Sequence, residues 1–139
     1  MSQRSTIGFK EKYYSEKNQR WECKSICRIS NRYNGNLSGV GKNIIEFLKS
    51  GKLPNGVITK DMKIFNSIGC LAAQYIAENK NYNNGLRLSL LTDREDINYD
   101  IIWYWSRDGR GLDSILILYK KKEYTIEEFE NFIIENGDE

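Results

Sequence analysis

Two hydrophobic periods alternate along this chain, and their order restricts the fold more than any other feature. Tyr99, Ile101, Trp103 and Trp105 recur at every second position, as one face of a strand requires. Ile68, Leu71, Ala72, Tyr75 and Ile76 recur at helical spacing, which predicts a helix over about 66–79. The same reading predicts strands over 5–10, 21–30, 86–91, 99–105 and 114–119. A further helix carries Ile44, Ile45, Phe47 and Leu48 on its apolar side, and a last one begins at Thr125 with the Thr-x-x-Glu128 capping box. The order is β-β-α-α-β-β-β-α. Strands in runs and helices in runs predict the α+β class: an antiparallel sheet of about five strands with helices packed on one face. At 139 residues, 1–139 reads as a single domain. A lone proline, Pro54, and the lack of a Gly/Ser tract argue against an internal linker.

Local signals place the connections. Polar residues over 11–20 read as a mobile link between the first two strands. Asn34-Gly35 marks a turn. Ser38 is the expected cap of the first helix and Gly51 its terminator. In the second strand Trp21, Cys23, Ser25 and Cys27 alternate with Glu22, Lys24, Ile26 and Arg28. Cys23 and Cys27 would then share a face roughly 13 Å apart, too far to bridge. With Cys70 they make three cysteines, an odd count that reads as plain thiols.

Composition excludes several chemistries. The chain has no histidine, which removes Ser-His-Asp and Cys-His catalysis, histidine bases and histidine-containing zinc sites. Twenty-one basic and 19 acidic side chains give a net charge of +2, too balanced for duplex DNA or RNA held by charge alone. No apolar run has the roughly 18 residues of a membrane span. Together with a polar N-terminal stretch, this predicts a cytoplasmic protein with no membrane partner.

The candidate ligand contacts are anion-binding groups. Gly35-Asn-Leu-Ser-Gly-Val-Gly-Lys42 leads into a helix, where backbone N–H groups and the helix terminus favour a phosphate. It is not a nucleotide-triphosphatase P-loop, which needs glycine at Asn36 and Ser or Thr at Asn43. The alternative is a glycine-rich helix entry that binds nothing. The turn Arg107-Asp-Gly-Arg110 offers two bidentate phosphate donors, or a solvated hairpin tip. Thr92-Asp-Arg-Glu-Asp96 is a charged loop, and the aromatic strand 99–105 is either a stacking surface or sheet core. Arg28 and Arg32 flank the first turn. No pair of carboxylates is marked as a general acid and base.

Several segments together resemble one family. Arg4-Ser-Thr-Ile7 precedes a strand. Arg32-Tyr-Asn-Gly-Asn-Leu-Ser-Gly-Val-Gly-Lys42 before Ile-Ile-Glu-Phe-Leu48 is similar to an aromatic-Asp-Gly-Tyr-Pro-Ser-Gly-His-Gly signature. Phe65-Asn-Ser-Ile-Gly-Cys-Leu-Ala-Ala-Gln74 is close to Phe-Asn-Gly-Met-Gly-Cys-Leu-Ala-Ala-Gln, and Thr92-Asp-Arg-Glu-Asp-Ile-Asn-Tyr99 stands where Thr-Arg-Asp-x-Gly-Glu-x-Tyr is expected. Over residues 4–135 the chain thus resembles the first type of Thoeris anti-defence protein, a family of small phage and prophage proteins. It departs at Asn34 (for Asp), Asn36-Leu37 (for Tyr-Pro), Val40 (for His) and in the order Asp93-Arg94.

The resemblance implies a sponge that sequesters a cyclic ADP-ribose isomer without cleaving it. It also implies binding of cyclic di- and trinucleotides, a homo-oligomer with sites between subunits, and no cofactor, metal or catalytic residue. The expected ligand set is then Arg28, Arg94, Arg107 and Arg110 for phosphate, Ser38, Gly39 and Gly41 as donors, and Tyr33 or Trp103 to stack the base. Asn34, Asn66 and Gln74 supply polar groups, although Gln74 could equally tie the second helix to the sheet. Two rival classes stand beside it. One is a protein-binding inhibitor or immunity protein, suggested by the acidic final helix. The other is a hydrolase working through Asp93 or Asp96 with a metal.

Overall fold

The alternating segments close into one mixed sheet of six strands, seen in a computed structural model that describes residues 3–53, 63–81, 84–107 and 113–137. β1 (Ser5–Ser15) and β2 (Arg20–Asn31) form an antiparallel hairpin, β3 is Arg87–Leu88, and β4 is Ile97–Tyr104. β5 (Ser114–Tyr119) and β6 (Lys122–Tyr124) complete the order β3-β2-β1-β4-β5-β6. β1 and β4 run parallel and the other neighbours antiparallel, so the sheet is mixed and has a sixth strand that periodicity does not predict. Antiparallel β2 already returns the chain to the end where β1 starts, and parallel β4 starts at that same end, with Asn31 and Ile97 both level with Ser5. Helices α1 (Lys42–Lys49) and α2 (Ile68–Asn79) lie in the connection between β2 and β4, and α3 (Ile126–Asn136) closes the described chain.

All three helices cover one face. Ile7 and Phe9 of β1 lie level with Tyr99 and Ile101 of β4 in the parallel register, and all four are buried. Phe9 meets Tyr75 of α2, which packs edge-on against Phe47 of α1, and Tyr99 meets Phe129 of α3. The shared face explains the runs of apolar residues at spacings of two and of three to four: each element buries one side in the same core.

Three details differ from expectation. The link over 11–20 is mostly strand, because β1 continues to Ser15 and only residues 16–19 turn. Lys12 holds this extension to its neighbours, donating to Tyr104 Oη and Glu123 Oε1 at 3.0 Å each. The alternation of β2 breaks at a bulge, since Phe9 faces Cys27 but Lys10 faces Ser25. The extra residue, Ile26, moves Arg28 to the same face as Ser25, Cys23 and Trp21. It also separates the two cysteines, leaving Cys23 exposed and Cys27 against the core. Finally, the expected strand over 86–91 shrinks to two residues. Ser67 caps α2, its hydroxyl accepting from Cys70 N at 3.1 Å.

The capping box at α3 is present as the sequence predicts. Thr125 Oγ1 accepts from Glu128 N at 3.1 Å, and the Glu128 carboxylate accepts from Thr125 N at 2.8 Å. That backbone donor holds the Glu128 carboxyl below its ordinary value of 4.5. A depressed carboxylate adds stability above its unfolded pKa and loses it as pH falls through the folded one. The stability advantage of the native chain over Glu128→Gln, measured by urea denaturation, is therefore expected to hold at neutral pH and to shrink below about pH 4.5. An advantage that stays constant from pH 7 to pH 3 contradicts this assignment.

Candidate functional site

The start of β1 lies beside the end of β2, and this gathers cationic side chains at one end of the sheet. Ser5 pairs with Asn31, so Arg4 just before β1 and Arg32 just after β2 must come together. β3 adds Arg87 opposite Ser30, and the end of α2 brings Lys80. These four cations and a single carboxylate, Glu95, line a groove of about 400 Å³ floored by Ser30, Asn31 and Leu86. Asn31 also lines a second groove of about 450 Å³ that runs toward α1 and α2. Its walls are rich in amides and hydroxyls: Asn34, Ser38, Asn43, Asn79 and Asn84, with Tyr33 and Tyr75. Tyr33 is 44 % exposed and has the Arg32 guanidinium 5.8 Å from its ring centroid.

The turn between the two grooves is held from below. Tyr99 Oη donates to Gly35 O at 2.8 Å, and Gly35 N donates to Gln3 O at 2.9 Å. A side chain at Gly35 would stand 2.7 Å from Gln3 O, so the turn needs glycine there. Asn34 takes a left-handed φ of +56°, which asparagine tolerates better than most residues. Burial pushes the Tyr99 and Tyr75 hydroxyls well above their ordinary value, so both stay neutral donors.

Of the expected ligand residues, the structure gathers Tyr33, Asn34, Ser38 and Gly39 in the amide-lined groove. The role expected of the glycine-rich entry changes. Asn36, not Ser38, is the cap, and its Oδ1 accepts from Gly39 N at 3.0 Å at the head of a π-helical turn, Leu37–Gly41, that precedes α1. Val40 N donates to Asn34 O at 2.9 Å and Gly41 N to Asn36 O at 3.2 Å. These N–H groups are engaged within the turn, and Gly41 is buried, so the cations of the neighbouring groove are the better phosphate donors.

Other expected residues lie elsewhere. Arg28 is 2 % exposed on the helix-free face, where Nη2 donates to Asp100 Oδ1 and Nη1 to Thr6 Oγ1, both at 2.5 Å. Burial works against its charge; Asp100 works for it, and nearby Arg94 against it. Trp103 is fully buried with Nε1 donating to Asp113 Oδ2 at 3.2 Å, so it is core and has no open ring face for a base. Gln74 donates to Ile64 O at 3.0 Å and ties α2 to the preceding segment. Asn66 is exposed ahead of the α2 cap, in none of these grooves. Arg94 and Arg107 are exposed, Arg107 at the far end of the sheet with its guanidinium 3.9 Å from the Tyr14 ring centroid. Arg110 lies outside the described residues.

Sequence reading missed the cationic groove as a unit. The signal was present: an antiparallel hairpin with ends at 5 and 31 necessarily pairs Arg4 with Arg32. Asp100 was also legible, as one acid in an apolar strand that needs a buried cation. Among the described residues no group of three or more Cys, Asp or Glu is placed to hold a metal ion, and no helix is long and apolar enough to cross a membrane. No protein-family model, curated protein or solved structure matches this chain.

Arg28→Ala would leave the Asp100 carboxylate without its closest partner. It is expected to cost about 3–5 kcal/mol in chemical denaturation. A cost within about 0.5 kcal/mol, the ordinary effect of a surface substitution, would mean that Arg28 is not the sheet's internal counter-ion.

Proposed function

We propose that this protein binds a cyclic ADP-ribose-type nucleotide and holds it without cleaving it, as an anti-defence sponge of phage origin acting in the host cytoplasm. The observation that carries the reading is the junction at Asn31 of a four-cation groove with a groove lined by amides. Arg4, Arg32, Arg87 and Lys80 suit a pyrophosphate, which needs several charge-assisted donors on neighbouring oxygens. Asn34, Asn43 and Ser38 suit ribose hydroxyls and base edges, which both donate and accept, whereas the Asn84 amide is engaged at both ends, by Asn79 O and Leu86 N, and Asn79 Nδ2 donates to Tyr75 O. Tyr33 supplies an exposed ring beside them for stacking. Sequestration asks only for this complementarity, and needs no nucleophile or general base. The resemblance to the first type of Thoeris anti-defence protein supports the same ligand class. It extends the proposal to cyclic di- and trinucleotides and to a homo-oligomer that completes the sites.

A protein-binding inhibitor is the second reading. It is favoured by Leu88, Leu90 and Leu91, which are 71, 71 and 47 % exposed near the β3 edge. The acidic face of α3 favours it less, because Glu130 is paired with Lys49 at 2.9 Å.

The test is retention. The protein is incubated with cyclic ADP-ribose isomers, stripped of unbound ligand, heated, and the released material weighed by mass spectrometry. Intact ligand released only on heating is expected, and Arg32→Ala with Arg87→Ala should weaken retention at least tenfold, about 1.4 kcal/mol. Cleaved product before heating would make the protein a hydrolase. No retention of any isomer would leave the protein-partner reading in front.

A further inference from the structure

We propose a second anion site, distinct from the grooves around Asn31, in which Arg94, Lys120 and Lys121 take a phosphate group of a small molecule. The three residues line a groove of about 360 Å³ between the loop that enters β4 and the β5–β6 turn, walled by Ile97, Leu118 and Tyr119. It shares no lining residue with the two grooves described above.

The turn itself is the first argument. Tyr119 pairs with Lys122, so Lys120 and Lys121 are the two central residues of a tight hairpin. Both have left-handed backbones, with φ of +49° and +68°. A two-residue turn of this kind favours Asn-Gly, since glycine carries no Cβ and asparagine recovers the cost through local hydrogen bonds. Lysine does neither. Two lysines at such positions are a local strain, and strain of this sort persists where a site uses it. Both lysines line the groove, and the Lys120 ammonium lies 5.5 Å from the centroid of the Tyr119 ring.

Charge complementarity is the second argument. Arg94 approaches from the other wall, with Nη1 donating to the carbonyls of Leu91 and Asp93 at 3.2 and 2.7 Å. Those bonds anchor one nitrogen of a guanidinium that has five N–H donors, so donors are left for an anion. Of the two acids in the lining, Asp100 has both oxygens engaged, Oδ1 by Arg28 and Oδ2 by Lys10 at 3.2 Å. Asp96 alone then opposes three cations. The small concave volume fits a compact phosphate compound and not an extended polymer.

The test uses the full chain and inorganic pyrophosphate, followed through the backbone amide resonances of Arg94 and of residues 120–122. Saturable shifts at these positions are expected. Lys120→Asn combined with Lys121→Gly should raise the melting temperature, because the turn relaxes, and should weaken the midpoint read at Arg94 at least tenfold. Lys17→Gln with Lys24→Gln, which removes the same charge from the exposed β1–β2 end, should leave that midpoint within twofold. The proposal is overturned if the native chain shows no saturable shift at Arg94. It is equally overturned if the turn variant keeps its midpoint, if its melting temperature does not rise, or if the Lys17/Lys24 variant weakens binding as much.

Discussion

The ion pair between Arg28 and Asp100 crosses the central strand of the sheet. Gly8 of β1 pairs with Arg28 on one side and with Asp100 on the other, so the two charged residues flank a position that has no side chain. A Cβ at Gly8 would collide with Asp100 Oδ1 and with the Arg28 guanidinium, at 2.5 Å from its Nη2. Glycine there lets an arginine from β2 reach an aspartate on β4 over the backbone between them. Thr6 extends the chain of bonds, accepting from Arg28 and donating to Asn98 Oδ1 at 2.6 Å. Lys10 closes it on Asp100 Oδ2. A one-residue slip of either neighbouring strand would strand a buried charge, so the network specifies the register of β2, β1 and β4 together.

Register at the centre decides what meets at the strand ends. With β1 and β2 locked, Arg4 and Arg32 sit side by side and the 33–36 turn lies over Tyr99. The connection through α1 and α2 keeps Asn43, Asn79 and Lys80 at the same end of the sheet, and β3 brings Arg87. Cations and amides from five separate stretches thus converge on Asn31. Most of them are exposed, and four cations with one nearby carboxylate repel one another, a repulsion that a bound anion would relieve. Arg28 contributes to this surface indirectly, through the register it enforces.

Element types were largely legible because each helix and strand buries one side in a common core, so its period is written in the apolar residues. The bulge at Ile26 was not legible. It changes which face Arg28 occupies without changing composition, and it turned an expected phosphate ligand into an internal counter-ion. The parallel pairing of β1 with β4 was hidden for a similar reason, since alternation reports a face and not a neighbour. Trp103 and the π-helical turn mark the limits on the site. An aromatic in an alternating strand reads alike as core or as platform, and the Gly39 and Gly41 amides read alike as available or engaged. Asn36 settles the second case by capping the turn from within. The Tyr33–Gly39 part of the surface was legible from its turn and polar residues, whereas the Arg4–Arg32–Arg87 part needed the pairing of strands.

Under the proposed function, one ligand spans both grooves through Asn31. Titration of isotopically labelled protein with a cyclic ADP-ribose isomer, read at the Asn31, Tyr33, Asn34, Asn79 and Asn84 resonances and at the Nε–H signals of Arg32 and Arg87, tests it most directly. The account predicts that resonances of both grooves shift together with a single midpoint. Shifts confined to one groove, or located at the far end of the sheet around Tyr14 and Arg107, would contradict it.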